Sequence, residues 1–143
     1  MPNPFHAEIA SWTKDREELL LIRHQVFVEE QKVPAEIEED EQDPGALHLL
    51  ARDSHGRAIG TARVLPSGQI GRVAIVSAWR RRGVGTAVMK LAMKEARAMG
   101  NSCLEIHAQV ASIEFYEALG WSALGPVFME AGIPHRLMRH EVE

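Results

Sequence analysis

The chain has a single cysteine, Cys103, and a single tyrosine, Tyr116, among its 143 residues. One cysteine excludes an intramolecular disulfide and leaves no thiolate cluster for structural zinc, which fits a reducing cytoplasm. Long apolar runs are missing too. The longest aliphatic stretch is Leu19-Leu20-Leu21-Ile22, far short of the ~18 residues that span a bilayer, and the first ten residues lack a basic segment followed by an apolar one. Neither membrane insertion nor secretion is expected, and a cytoplasmic location is the default. Positive charge is in deficit, with 16 Lys+Arg against 20 Asp+Glu, so no broad basic field exists for nucleic acid and any polyanion must be met locally. The seven histidines contain no His-x-x-x-His pair on an expected helix, and no metal site is inferred.

What is present is ordinary for a globular protein: 45% hydrophobic and 25% charged residues, in a length that suits one domain over residues 1–143 with one core. His6 to Trp12 reads as a strand, and Thr13 or Asp15 can cap a helix whose apolar positions Leu19, Ile22, Val26 and Phe27 recur at helical spacing, stopping before Pro34. Glu36 to Asp43 is too acidic and too poor in apolar periodicity for core, so a surface loop or frayed helix is expected. Three strands follow, Ala46 to Arg52, Ala58 to Leu65 and Gln69 to Val76, with connections short enough for an antiparallel meander.

From Gly83 the period becomes helical, with Val84, Ala87, Val88, Leu91, Ala92, Ala96 and Met99 on one face and Gly100 at the C-cap. Cys103 to Ala108 reads as a buried strand parallel to the third meander strand, completing a β-α-β unit. A short helix from Ser112 to Leu119 and two more strands, Trp121 to Met129 and Pro134 to Val142, close the chain. The fold class is therefore α/β in the α+β sense, with a mixed, mostly antiparallel sheet.

The stretch with chemistry runs from Val73 through Arg80-Arg81-Arg82-Gly83-Val84-Gly85-Thr86 into the strong helix. Glycines let the backbone approach an anion, the first helical NH groups lack internal partners, and the dipole and arginines add positive potential. A pyrophosphate suits that turn; a basic loop entering a helix is the plainer alternative. A P-loop is excluded, because the chain has no Gly-Lys pair. A dinucleotide fingerprint wants a third Gly or Ala where Val88 stands, and although Glu105 lies at the separation of a ribose-binding acid, the meander is foreign to that fold.

Arg80-Arg81-Arg82-Gly83-Val84-Gly85 also matches Arg/Gln-x-x-Gly-x-Gly/Ala, and on this motif and its order of elements the chain resembles the GNAT superfamily of acyl-CoA-dependent N-acetyltransferases. Ile22-Arg23 to Gln31, Ala46-Leu47-His48, Ile59 to Arg63, Phe115 to Gly120 and Ala131-Gly132-Ile133-Pro134-His135 resemble its ElaA-like branch. The resemblance implies a sheet splayed beside the third meander strand, pantetheine in the splay and the CoA pyrophosphate on the Arg82 to Thr86 turn. Acetyl-CoA is then a co-substrate, and the partner is an amine acceptor.

The resemblance implies further roles. Backbone NH groups at Val73 and Ile75, flanking Ala74, would hold the thioester carbonyl. Tyr116 would sit at the CoA sulfur as general acid, since a phenol is protonated at neutral pH; the alternative is an aromatic helix face packed on the sheet. Gln109 stands where the family often has Asn and would face pantetheine. The base is open among Glu29, Glu30, Asp40, Asp43 and His48, with Glu29 and His48 favoured because they fall in matched segments. The acidic run is either a collar for a cationic amine or a solvated loop, and His135 either packs in the sheet or lines the acceptor pocket. Cys103 opens a strand without an activating base, so direct transfer is expected over an acyl-cysteine. Competing functions are a non-catalytic acyl-CoA-binding module and a nicotinamide-nucleotide binder. A homodimer through a C-terminal edge strand is a further expectation.

Overall fold

The computed structural model describes residues 4–34 and 39–141. One seven-stranded sheet runs through the molecule. Its strands are β1 (Phe5–Ala10), β2 (Leu47–Asp53), β3 (Ala58–Val64), β4 (Gln69–Ile75), β5 (Cys103–Gln109), β6 (Ser122–Glu130) and β7 (Ile133–Glu141). The spatial order is β1-β2-β3-β4-β5-β7-β6. All neighbours are antiparallel except β4 and β5, which are joined by the helix α2 (Val84–Ala98) as the β-α-β reading requires.

The first helix, α1 (Trp12–Arg23), begins earlier than the pattern suggests. Ser11, not Thr13 or Asp15, is its N-cap: its hydroxyl accepts from the Lys14 NH at 3.2 Å, while its own NH donates to Asp15 at 2.9 Å. Trp12, read as the end of a strand, therefore opens the helix. From His24 to Glu30 the helix widens into π-helical turns that end before Pro34. Helix α2 buries Val84, Val88, Met89, Ala92, Met93 and Ala96, so its core stripe is rotated toward Met89 and Met93 relative to the expected face, and Met99 is left exposed. Together with a short helix, α3 (Ile113–Glu117), it covers one side of the sheet over Leu49, Ile59, Ile70, Leu104, Ile106 and Met138. Leu19, Ile22 and Val26 cover β2 and β4 on the other side. Cys103, expected in a buried strand, is half-buried. The C-terminal strand β7, expected at an edge, lies inside the sheet, whose edges are β1 and β6.

Between β3 and β4 the register slips, with Thr61 opposite Ala74 and Arg63 opposite Gly71. One extra residue on β4 makes a bulge at Arg72 and Val73, and Arg72 takes a φ of 52°, a left-handed conformation that a long side chain adopts only under tertiary constraint. On its other edge β4 pairs with β5 only at Gln69 with Glu105 and Ile70 with Ile106, and the two strands then part.

Within the acidic segment Glu41 and Gln42 are exposed, as a solvated loop requires, but Asp40 and Asp43 depart from that reading; Glu36 to Glu38 lie outside the described residues. Asp43 is fully buried. Arg23, also fully buried, donates to both of its carboxylate oxygens at 3.0 Å. Arg63 bridges Asp43 at 3.2 Å and Asp40 at 2.8 Å, and Arg72 reaches Asp40 at 3.0 Å. His48 donates from Nε2 to the Asp43 carbonyl at 2.8 Å, leaving Nδ1 to accept from Arg23 at 3.4 Å, and stacks on Trp12 with ring centroids 4.8 Å apart. Elements distant in sequence are thus pinned by one buried ionic network, something a charge pattern alone does not reveal.

The network makes stability pH-dependent with a definite sign. Burial, with the nearby Arg23 and Arg63 charges, lowers the His48 pKa despite its bond to the Asp43 carbonyl. The unfolded chain, with its imidazole near ~6.5, then binds the proton first as pH falls, so the stability contributed by neutral His48 is complete above that value and is lost toward the lower folded pKa. His140, lowered by burial and by Arg97, adds in the same direction. For Asp43 burial opposes ionisation, but hydrogen bonds from Arg23, the Asp40 NH and Arg63 outweigh it. Its stabilisation is therefore present above the unfolded carboxylate value of ~3.9 and lost at still lower pH. Thermal midpoints measured from pH 8 to 3 should fall in two stages, and His48→Gln should shrink the first; an unchanged first stage would contradict this account.

Candidate active site

Where β4 and β5 part, a cleft of about 920 Å³ opens, lined among others by Gly71, Val73, Ile75, Gly85, Thr86, Gln109 and Tyr116. The backbone direction of β4 follows from one hydrogen bond. Val76 donates its NH to Ile59 on β3 at 3.0 Å, and because NH groups alternate along a strand, that of Ala74 also points to β3. The NH groups of Val73 and Ile75 are left on the cleft side. These are the two residues whose backbone donors the family resemblance implies, and Ala74 keeps its side chain buried beneath α1.

At the mouth of the cleft the chain turns through Arg80 to Gly83 into α2. Arg81 has φ 59° and Gly83, the N-cap of α2, has φ 88°. Left-handed residues in such a turn converge successive NH groups into an anion-binding concavity, continued by the unpaired NH groups of the first helical turn. Gly85 faces inward: a Cβ there would lie 3.3 Å from the Phe115 ring. Val84 is the exception in the motif, with its side chain fully buried in the core, so only its backbone is on offer.

The three arginines separate. Arg80 donates to both carboxylate oxygens of Glu30, one at 2.7 Å, and through Nε to the Ile75 carbonyl at 2.9 Å. That pairing lowers the Glu30 pKa and raises that of Arg80. Arg82 lies over the Trp79 ring at 3.9 Å, away from the cleft lining. Arg81 lines the cleft. The local charge therefore comes less from a triple-arginine patch than from Arg81 and the backbone.

Tyr116 occupies the opposite wall, carried by α3. It is buried, edge-on to Phe115 at 5.0 Å and Trp121 at 6.4 Å, and among the described residues its hydroxyl has no hydrogen-bond partner. Burial pushes its pKa up, so the phenol stays protonated throughout the physiological range. Gln109 exchanges hydrogen bonds with Gln31 at 3.0 and 3.3 Å, a clasp between β5 and the end of the π-helical segment.

The two favoured base residues are not brought to this cleft. His48 is sealed in the ionic network with both ring nitrogens engaged, and Glu29 is exposed beside His24. Neither lines the cleft. Of the other carboxylates, Asp43 and Glu30 are committed to arginines, while Asp40 lines the cleft with Arg63 and Arg72. Sequence reasoning missed His107 and Glu130, which also line it, as does His135. Strand alternation on β5 could have placed His107 on the face of Gln109, but nothing in the sequence paired it with Glu130.

A mixed sheet parted beside its fourth strand, with a glycine turn at the mouth of the gap, defines the GNAT class of acetyltransferases. The chain belongs to that family: residues 11–142 match the model described as the acetyltransferase (GNAT) domain. It is 33% identical to the uncharacterized N-acetyltransferase YjcF of Bacillus subtilis, over 92% of this chain and 96% of that protein. An acyl-CoA N-acyltransferase from Pseudomonas aeruginosa superposes with a TM-score of 0.83 at 30% identity, covering 95% of this chain and 99% of the other. Escherichia coli ElaA does so with a TM-score of 0.84 at 25% identity, covering 96% and 99%. No described helix is long and apolar enough to cross a membrane.

Proposed function

We propose that the protein transfers an acetyl group from acetyl-CoA directly to a primary amine of a small molecule or peptide. The observation that carries this reading is the parting of β4 from β5 after Ile70 and Ile106, with backbone donors of β4 on one wall and a protonated phenol on the other. Acetyl-CoA when bound supplies the acyl thioester. The residues present suit it: the cleft lies within the ~300–1,000 Å³ usual for small-molecule sites, and Gly85 keeps open the space that a side chain would fill.

In this reading the turn from Arg81 to Thr86 binds phosphate through peptide NH groups. Val73 and Ile75 orient the acyl carbonyl and stabilise charge on its oxygen as it develops. Tyr116 holds a proton at Oη for the departing sulfur. Val26 and Phe27 on the wall below exclude water from the same space.

Calorimetric titration with acetyl-CoA, using CoA and NAD for comparison, tests it. Binding of both CoA forms without NAD is expected. Gly85→Val should weaken acetyl-CoA binding by about 1–3 kcal/mol, the usual cost of overpacking, or roughly 5- to 150-fold in Kd. Equal affinity in wild type and variant would remove the phosphate seat from this turn.

A further inference from the structure

We infer that His107 on β5, oriented by Glu130 on β6, is the general base that deprotonates the acceptor amine. The inference rests on the transferase reading above and names the residue that reading lacks. Three strands build the site. Cross-strand register puts His107, Gln109, His135, Phe128 and Glu130 on one face, because Gln109 lies opposite His135, His135 opposite Phe128, and Glu130 opposite Ile133. That face opens into the cleft, where the end of the π-helical segment meets it through Gln31 on Gln109.

The position of His107 along β5 is decisive. Ile106 is the last residue of β5 paired to β4, so His107 stands immediately past the point of parting, beside the bulge that turns Val73 toward the cleft. An imidazole there borders the space in which acyl carbon and amine must meet.

Its hydrogen bonds select the tautomer. His107 Nδ1 lies 2.9 Å from a Glu130 carboxylate oxygen, and a carboxylate only accepts, so Nδ1 carries the proton and Nε2 keeps its lone pair. A triad carboxylate orients its histidine by the same hydrogen bond, although here both side chains are partly open to solvent, His107 at 36% and Glu130 at 47%. Phe128 fixes the arrangement from below, edge-on to His107 at 5.2 Å and stacked on His135 at 5.9 Å. His135 donates from Nδ1 to the Ile133 carbonyl at 2.7 Å and sets Nε2 3.7 Å from the second Glu130 oxygen. Glu130 is thereby held between two imidazoles and acts through His107 as a positioning residue. Among the described residues no group of three such side chains is arranged to hold a metal ion.

Other charged residues near His107 or on the cleft are Glu105 on β5, paired with Arg139 on β7 at 3.1 Å, Asp40, Arg63 and Arg72, paired with one another, and Arg80, paired with Glu30, and Arg81 at the mouth. The π-helical segment presents only the neutral Val26 and Phe27, followed by Gln31. His107 takes one proton from the acceptor's ammonium at Nε2 and releases it to solvent, freeing the nitrogen lone pair to form the N–C bond as the C–S bond breaks. Tyr116 gives its proton to the departing sulfur and regains one from the new amide nitrogen.

The test uses the full chain with acetyl-CoA and two sets of nucleophiles, tyramine, spermidine and glucosamine on one side and hydroxylamine on the other. The first three arrive as ammonium ions and need a base; hydroxylamine is already unprotonated at neutral pH. His107→Gln should lower kcat/KM for a turned-over ammonium acceptor about 100-fold, within the range for general bases, lower that for hydroxylamine far less, and abolish the fall of rate toward acid pH. Glu130→Gln should lower the amine rate about tenfold, and imidazole 15N shifts of His107 should pass from a single Nδ1–H tautomer to a mixture. In both variants the acetyl-CoA Kd should stay within twofold, which also shows that they fold. Equal losses with the ammonium acceptor and hydroxylamine, or an unchanged acid limb, would overturn the role of His107 alone. Failure of the wild-type chain to turn over any of these nucleophiles at saturating acetyl-CoA would overturn it together with the transferase reading.

Discussion

Asp43→Asn should lower the unfolding free energy by about 3–5 kcal/mol, the cost of removing one partner of a buried ion pair and stranding the other. Arg23, fully buried, gives both terminal NH groups to this carboxylate and would face a neutral amide that can accept through only one oxygen. Arg63 loses the charge of this partner at the same time, keeping Asp40 as its carboxylate. Urea unfolding read by tryptophan fluorescence is apt, because Trp12 lies against the network, stacked on His48 and beneath Arg23 at 5.6 Å. A loss under about 1 kcal/mol would mean that water reaches Arg23 and that the network is not the clamp described. Since α1, β2 and β3 converge here, partial loss of structure in the variant should appear first as hydrogen exchange in α1.

Tyr116→Phe should lower kcat about 100-fold or more, the lower end of the usual contribution of a positioned acid or base, while the acetyl-CoA Kd changes little. Only the hydroxyl is removed. The ring keeps its edge contacts with Phe115 and Trp121, and no described residue loses a hydrogen bond. Single-turnover measurement of CoA release separates this from slow product release. A variant with wild-type kcat would leave Tyr116 as a packing residue and return the protonation of sulfur to solvent. A wild-type chain that binds acetyl-CoA and never turns it over would instead be a binding module.

The glycine turn, the strong amphipathic α2 and the β-α-β order were legible because each rests on local chemistry: φ above zero at Gly83, a 3.6-residue apolar period, a short connection. The position of Tyr116 was legible through the resemblance of Phe115 to Gly120 to a family motif, not through any period. Much of the rest was not. The bulge at Arg72 and Val73 leaves no composition signature, since neither residue is one that favours φ above zero. The capping role fell to Ser11, for Thr13 and Asp15 are equally good cap formers and only the direction of the chain leaving β1 chooses among them.

Burial of charge shows the same division. The pattern of Glu36 to Asp43 speaks for solvent, and local sequence is right about the cost of burying Asp43; what it cannot see is Arg23, 20 residues away, and Arg63, 20 residues further on, arriving at the same point. His48 looks like a base by chemistry and is a sealed donor by geometry. His107 looks like one polar residue in an alternating strand and meets Glu130, 23 residues distant, only because β7 inserts between β5 and β6. The sequence by itself determined the class of fold and the glycine turn that opens α2, because periodicity and motif spacing are properties of neighbouring residues. The tertiary structure alone decided which carboxylates are paired, which histidines face the cleft and where the sheet parts, because those depend on long-range register and on the electrostatic company each buried group keeps.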